Sequence, residues 1–422
     1  MYSESSVRLI GKPWIEEAVK AHSLGLVRYT GGGDAIVAVS GTEHLVPPSH
    51  QYDLTQATIF GLNERLTLSA RGATGKNLRE EFNDEWEKYS QELGAIENGQ
   101  PFLYGYYAYY SARNDLVRFC PPYWHHLVAV TSSSTLLSDV AKKLTWQEVR
   151  EKLAKTTVAV AGCSVGSSVI HALAMDMRPE NIKIADKSVY KMENINRVRL
   201  SYAEMVKNQG ERQGLVDLAL KNKACVVAEQ LYAIDPFLNV FVYDEGVSSE
   251  NVVSFLDGAS GEPRADIVVE EVDDPRIKIF IREEARKRQL PVVMVTDIGS
   301  AVQLDVLRYD QNPLLPLTHG TSDAELYAKM EAVYNRPGNR EAFFGFVDAL
   351  VGTAYRQDEL ADIILEKSEI PTSTLIPQLG STVAMAGAVA AEAVARICLG
   401  YSYPPRAIIN KRTLAVKVFP EE

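Results

Sequence analysis

The sequence predicts an α/β protein: a Rossmann-like, doubly wound and mostly parallel sheet, with an additional N-terminal α+β domain. Three observations lead there. Residues 158–161, VAVA, are a short apolar run of the kind buried on both faces of a parallel sheet. A glycine-containing turn follows at once, Gly162-Cys163-Ser164-Val165-Gly166-Ser167, and opens a helical pattern over Val169–Met177. A second apolar run, Ile182–Ala185, then ends on Asp186. Asp186 lies 186 − 162 = 24 residues after the first glycine, close to the ~20 expected of a carboxylate that holds a nucleotide ribose.

Taken in order, residues 1–130 are assigned to an N-terminal domain that carries no recognisable chemistry. Within it, Ala35–Val39 is expected as a strand, Asn77–Leu93 as an exposed charged helix, and the aromatic run Tyr104–Tyr110 as a strand. The small, polar stretch 131–144 is expected as a linker, and 145–422 as the nucleotide-binding domain with a C-terminal helical extension. Thr145–Leu153 reads as a helix leading into the first strand. After Asp186 come Asn194-Ile195-Asn196-Arg197, where amides and one guanidinium suit phosphates. Lys223 opens a helix that stops at Pro236, and Phe241–Tyr243 is the third strand. An apolar strand beginning at Asp266 then runs into Glu270-Glu271-Val272-Asp273-Asp274. Ligands of open parallel sheets bind beyond the carboxyl ends of strands, so a carboxylate here suits magnesium, while Asp273 or Asp274 caps the helix Arg276–Lys287. Pro291–Val295 is the fifth strand, and Ala301–Tyr309 alternates like a sixth at the antiparallel edge.

A charge of −11 argues against a nucleic-acid-binding surface as the main role. No secretion signal is read at the N-terminus, and Cys120, Cys163, Cys225 and Cys398 form no C-x-x-C pair. A reducing cytoplasm and no structural zinc are expected. Leu379–Leu399 is long and apolar, but it contains Glu392 and Arg396 at i,i+4 and many small residues, so it reads as a buried helix and not a membrane span.

The turn admits two chemistries. Glycines allow close approach to a phosphate, and the helix start directs its free N–H groups at an anion. Ser164 stands where the second glycine of G-x-G-x-x-G belongs, and Gly166 comes one place early. The same residues also spell Gly-x-Ser-x-Gly, a hydrolase nucleophile elbow, for which His319 is the one candidate base after His171. The motifs that follow the turn favour the nucleotide.

The order of the Gly turn, Asp186, Asn194-Ile195-Asn196-Arg197, Lys223 ahead of Ile234-Asp235-Pro236, and a strand ending at Asp273 resembles the ThiF/MoeB/ubiquitin-activating superfamily of adenylyltransferases. The resemblance covers about 145–310 and extends toward 400. The subset with Gly-x-Ser-Val-Gly and Val-Val-Glu-Glu, as in bacterial ThiF–nitroreductase fusions, is also similar. It implies that a carboxylate, from a ubiquitin-like protein C-terminus, a peptide or a small acid, attacks the α-phosphate of ATP. An acyl-adenylate forms and pyrophosphate leaves. By this resemblance Gly162, Ser164 and Gly166 cradle the nucleotide, Asp186 binds ribose, Asn194, Asn196 and Arg197 the phosphates, Lys223 the phosphates in the transition state, and Asp273 magnesium. It also implies a homodimer. The family's Arg before the first strand is missing from 131–145, where Lys142 and Lys143 stand, and no Cys lies between Cys225 and Cys398, so an enzyme thioester is not expected. The alternatives are an NAD- or FAD-binding Rossmann protein and a non-catalytic nucleotide-binding scaffold.

Overall fold

The computed structural model describes residues 9–12, eight short strands between 14 and 119, residues 144–352 apart from 213–214, and residues 378–419. The chain divides into two compact units: Gly11–Val128 with Asp235–Phe237, and Met1–Ile10 with Ala129–Ile234 and Leu238–Glu422.

The smaller unit holds two four-stranded sheets. One orders β1 (Trp14–Glu17), β7 (Tyr106–Tyr110), β8 (Asp115–Phe119) and β6 (Arg79–Glu80). The other orders β4 (Glu43–Leu45), β3 (Ile36–Ser40), β2 (Leu24–Arg28) and β5 (Thr58–Gly61), all antiparallel. The strands expected near 35–39 and 104–110 are β3 and β7. The helix expected over 77–93 gives way at Arg79–Glu80 to β6, which pairs with β8; the rest of that stretch lies outside the described residues, as does the linker at 131–143.

The larger unit is built on one eight-stranded sheet. Helix α1 (Trp146–Lys155) begins at the capping box of Thr145 and Glu148 and delivers β9 (Thr157–Ala161). Then come α2 (Val165–Ala172), continued by a π-helical turn at Leu173–Met177, and β10 (Asn181–Ala185). The connection over 198–222 folds as α3 (Tyr202–Met205) and a hairpin of β11 (Val206–Arg212) and β12 (Leu215–Leu220). Next are α4 (Lys223–Ile234), β13 (Asn239–Tyr243), α5 (Val252–Asp257), β14 (Ile267–Glu270), α6 (Pro275–Lys287), β15 (Val292–Ile298) and β16 (Ala301–Leu307). Strands β13, β10, β9, β14 and β15 are parallel, which makes the strand order 3-2-1-4-5 with its switch point between β9 and β14.

Strand β16 runs antiparallel to β15 but is not the edge. Strands β17 (Arg406–Asn410) and β18 (Ala415–Phe419) pair beyond it. These residues close the C-terminal segment, so it is not wholly helical. It contains α7 (Asp323–Asn335), α8 (Arg340–Val351) and α9 (Gly380–Leu399) as well as the two strands.

The apolar runs supply the core. Ala159, Ala161, Phe241, Tyr243, Val268, Phe255 and Ile281 pack on one side, and Ile279, Met294, Leu317, Leu326 and Phe346 join α6 and β15 to α7 and α8. Helix α9 is the one described helix long and apolar enough to cross a membrane, yet 61% of its apolar window is buried inside the protein. It packs on α2 closely enough that a Cβ on Gly387 would stand 2.5 Å from Ser168 Oγ. Its Glu392–Arg396 pair closes at 2.6 Å.

Candidate functional site

The site begins where β9 ends. Gly162 has φ +98°, and a Cβ there would lie 2.4 Å from the Glu271 carbonyl oxygen, so the turn passes over the end of β14 only with glycine. Gly162→Ala should therefore lower stability by about 2 kcal/mol, measured by denaturant melts. A wild-type midpoint would show that the turn relaxes freely. Gly166 is less constrained: its added Cβ would meet Glu271 and Val160 side-chain carbons at 3.4 Å.

Asp186 clamps this turn from the adjacent strand. Its Oδ2 accepts from Cys163 N–H at 2.8 Å and its Oδ1 from Ser188 N–H at 2.8 Å. Each carboxylate oxygen retains capacity for a second donor such as a ribose hydroxyl. Tyr190, fully buried, donates its hydroxyl to the Cys163 carbonyl at 3.1 Å, and burial pushes its ionisation well above the usual tyrosine range. The Cys163 thiol is likewise driven upward by burial. Ser164, at the N-cap position of α2, makes no side-chain cap. Its hydroxyl accepts instead from Arg197 Nε at 3.4 Å, so the first N–H groups of α2 carry no side-chain cap and suit an anion.

Arg197 follows a 3-10 turn, Met192–Asn196, and its Nη1 donates to the Asn196 side-chain oxygen at 3.2 Å and the Glu193 carbonyl at 3.4 Å. These long contacts leave a half-buried guanidinium lightly held. Asn194 is buried, and its side-chain oxygen accepts from Lys191 N–H at 2.8 Å, holding the turn that presents Arg197. Lys223, at the start of α4, places Nζ 5.8 Å above the Tyr190 ring. Asp186, Arg197 and Lys223 thus all meet at residues 162–164, directly or through Tyr190.

One organising residue escaped the sequence reading. Asn222 donates Nδ2–H to the carbonyls of Asp186 (2.8 Å) and Asp244 (3.0 Å), and its oxygen caps α4 through Ala224 and Cys225 N–H. It ties the ends of β10 and β13 to the helix that carries Lys223. An Asn just before a helical run was the available signal.

Two aspartates divide the work after β14. Asp274 caps α6, accepting from Arg276 N–H at 3.0 Å and Ile277 N–H at 3.2 Å, and receives Tyr334 OH at 2.8 Å. Asp273 is exposed and takes no part in that cap. A third carboxylate, Asp297, sits at the end of β15 and is only 4% exposed. Its Oδ1 accepts from Gln378 Nε2 at 3.2 Å, while Oδ2 has no hydrogen-bond partner among the described residues. Burial pushes its pKa up from 3.8 to about 7, against the pull of Arg197 and with a push from Asp273. The rule that singled out Asp273, a carboxylate just past a parallel strand, applies equally to Asp297.

The raised pKa has a sign. Between roughly pH 4 and 7 the folded chain holds a proton on Asp297 that the unfolded chain has lost, so stability falls as pH rises. Without metal, Asp297→Asn should match wild type near pH 4 and become the more stable of the two above pH 7. A pH-independent difference in denaturation midpoints would contradict this.

A cleft of about 190 Å³ opens beside Arg197 between α2 and α9, lined by His171, Arg199, Asp176 and Ala384 among others. His171 Nδ1 contacts the Ser167 carbonyl at 2.6 Å, and burial lowers its pKa. The hydrolase arrangement is not formed: the Ser164 hydroxyl meets Arg197, whereas His319 Nε2 lies 2.9 Å from the Val306 carbonyl. Lys142 and Lys143 lie outside the described residues.

Among known families, the model described as the ThiF family matches residues 137–419. An uncharacterized protein of Mycobacterium tuberculosis is 33% identical over 182 residues, 43% of this chain; that match spans only 22% of the relative's length. Among solved structures, PaaA superposes with a TM-score of 0.46 at 12% identity, covering 80% of this chain and 92% of its own. The microcin C7 biosynthetic enzyme MccB in complex with N-formylated MccA gives 0.44 at 14% identity, covering 98% and 96%. Escherichia coli MccB with ATP gives 0.43 at 13% identity, with the same coverage.

Proposed function

The chain belongs to the ThiF family, and from that premise we propose that it is an ATP-dependent adenylyltransferase that activates a carboxylate as an acyl-adenylate. The observation that carries this reading is the convergence of Asp186, Arg197 and Lys223 on the turn 162–164 at the head of α2. A dinucleotide needs the turn and Asp186, but it has no triphosphate for a guanidinium and an ammonium to clamp.

In the reaction, an oxygen of the substrate carboxylate attacks the α-phosphorus, the bond to the bridging oxygen breaks, and pyrophosphate carries away the electron pair. No proton need move. Arg197 and Lys223 neutralise charge gathering on the phosphate oxygens, the α2 N–H groups add a fixed positive potential, and Asp186 holds the ribose and the turn together. Catalysis by such a site is positioning and charge stabilisation.

The residues also fit magnesium. Asp273 is an exposed hard-oxygen donor spared from capping. Such a donor suits a cation that takes its other ligands from phosphates and water. When bound, it would neutralise phosphate charge.

The Arg197- and Arg199-lined cleft supports an acidic substrate, whether a protein C-terminus, a peptide or a small acid. Transfer then goes to an external nucleophile, since Cys163 is buried at the turn with its thiol protonated, and Cys225 and Cys398 are also raised, Cys398 to about 12. The three described cysteines are free thiols, which supports a cytoplasmic setting. A homodimer is part of the proposal, and light scattering at working concentration tests it.

The deciding experiment is calorimetric titration with ATP plus magnesium, NAD and FAD, followed by ATP–pyrophosphate exchange with candidate acids. Magnesium-dependent ATP binding with acid-dependent exchange is expected. Binding of NAD or FAD without ATP would sink the reading. ATP binding with no exchange across protein, peptide and small acids would favour a nucleotide-binding scaffold.

A further inference from the structure

The most unusual group near the site is Asp297. A buried carboxylate oxygen without a donor is disfavoured unless a proton or a cation meets it. Asp297 Oδ2 is such an oxygen, while Gln378 occupies the other one. The sheet register locates it. Val268 pairs with Val292 and Val269 with Val293, an offset of 292 − 268 = 24 residues. Strand β14 ends at Glu270, three residues before Asp273, and Asp297 lies at the end of β15, its parallel neighbour. The link persists beyond the last paired residue, because Val295 N–H donates to Glu271 Oε1 at 2.8 Å. The two carboxylates therefore stand on neighbouring strand ends, one exposed and one buried, on the edge where an open parallel sheet binds its ligand.

We propose that Asp297, through Oδ2, is a second protein ligand of the divalent cation, which is gripped between Asp273 and Asp297 with the nucleotide phosphates. The proposal rests on the adenylation reading. Magnesium is commonly held by one or two carboxylates plus phosphates and water, so the pair completes a usual donor set. The cation also answers the repulsion between two carboxylates at adjacent strand ends and gives the buried oxygen its partner. Gln378, bonded to Oδ1, orients the carboxylate.

The test is binding of Mn2+ in the presence of α,β-methylene-ATP, read from the loss of the free-ion electron paramagnetic resonance signal. Asp297→Asn and Asp273→Asn should each weaken Mn2+ about tenfold or more. Affinity for the nucleotide in EDTA should stay near wild type, which also shows that the variants fold. A direct ligand further predicts that Asp297→Cys shifts preference from Mn2+ toward thiophilic Cd2+, a change that a merely structural aspartate would not produce. Wild-type Mn2+ affinity in Asp297→Asn, with Asp273→Asn weakened, overturns the proposal and leaves the adenylation reading standing. An unchanged metal preference in Asp297→Cys also overturns it. Failure of the wild-type chain to bind the nucleotide removes both.

Discussion

Replacing Arg197 by Ala should reduce ATP–pyrophosphate exchange by about 10²–10³-fold, the usual cost of one charge-stabilising donor at a reacting centre. The structure gives a reason to expect this without a loss of fold. The guanidinium is half-buried, and its three contacts are 3.2–3.4 Å long, so little native-state stability depends on it. The Ser164 hydroxyl loses its partner but remains near solvent. Arg197→Lys should restore only part of the rate, because an ammonium presents one point of charge where the guanidinium presents a fork. Lys223→Ala should show a comparable loss. The double variant should fall short of the product of the two effects, since the proposal has both groups serve one transition state. Measured by isotope exchange at saturating ATP, an Arg197→Ala rate within threefold of wild type would refute the role assigned to this residue.

Glu270→Ala should lower unfolding free energy by about 3–5 kcal/mol, the cost of breaking a buried ion cluster by removing one partner. Glu270 is fully buried at the end of β14. Its carboxylate receives Lys278 Nζ at 2.9 and 3.1 Å and Arg282 Nε at 3.0 Å. Arg282 is itself 1% exposed and donates onward to the Leu317 carbonyl at 2.8 Å. Removing the carboxylate leaves two cations without their counter-charge inside the protein. The effect should reach the site, because Glu270 also accepts from Val272 N–H at 3.1 Å in the segment leading to Asp273. Guanidinium melts of Glu270→Ala and the milder Glu270→Gln check the prediction. A loss below 1 kcal/mol in both would show that water readily solvates the cluster.

How much of this was legible in the chain can be read from particular residues. The strands from Val158, Ile182, Phe241, Asp266 and Pro291 are found within a few residues, since each is an apolar run bounded by breakers. Helix α2 begins at Val165, inside the turn and ahead of the periodic pattern over Val169–Met177. Hairpin β11–β12 carries no clear signal in the chain, since β11 is the polar run VKNQGER and the pairing lies outside the main sheet. The chain offers Asp273 and Asp274 alike as caps, and in the fold Asp274 takes the role, which frees Asp273.

By itself, then, the sequence determined the βαβ order, the turn at Gly162, and the identity of Asp186, Arg197, Lys223 and Asp273 as residues to place, because these rest on local period, composition and spacing. Only the tertiary structure decided that β17 and β18 extend the sheet, that Glu270 gathers Lys278 and Arg282, and that Asp297 ends the strand beside β14 with one oxygen unsatisfied. Each of these depends on partners brought together by strand pairing or side-chain reach. Arg406 meets Asp305 across 101 residues of chain, for example. Local patterning does not encode which distant residue lies opposite, because that choice is made when the sheet and its covering helices pack.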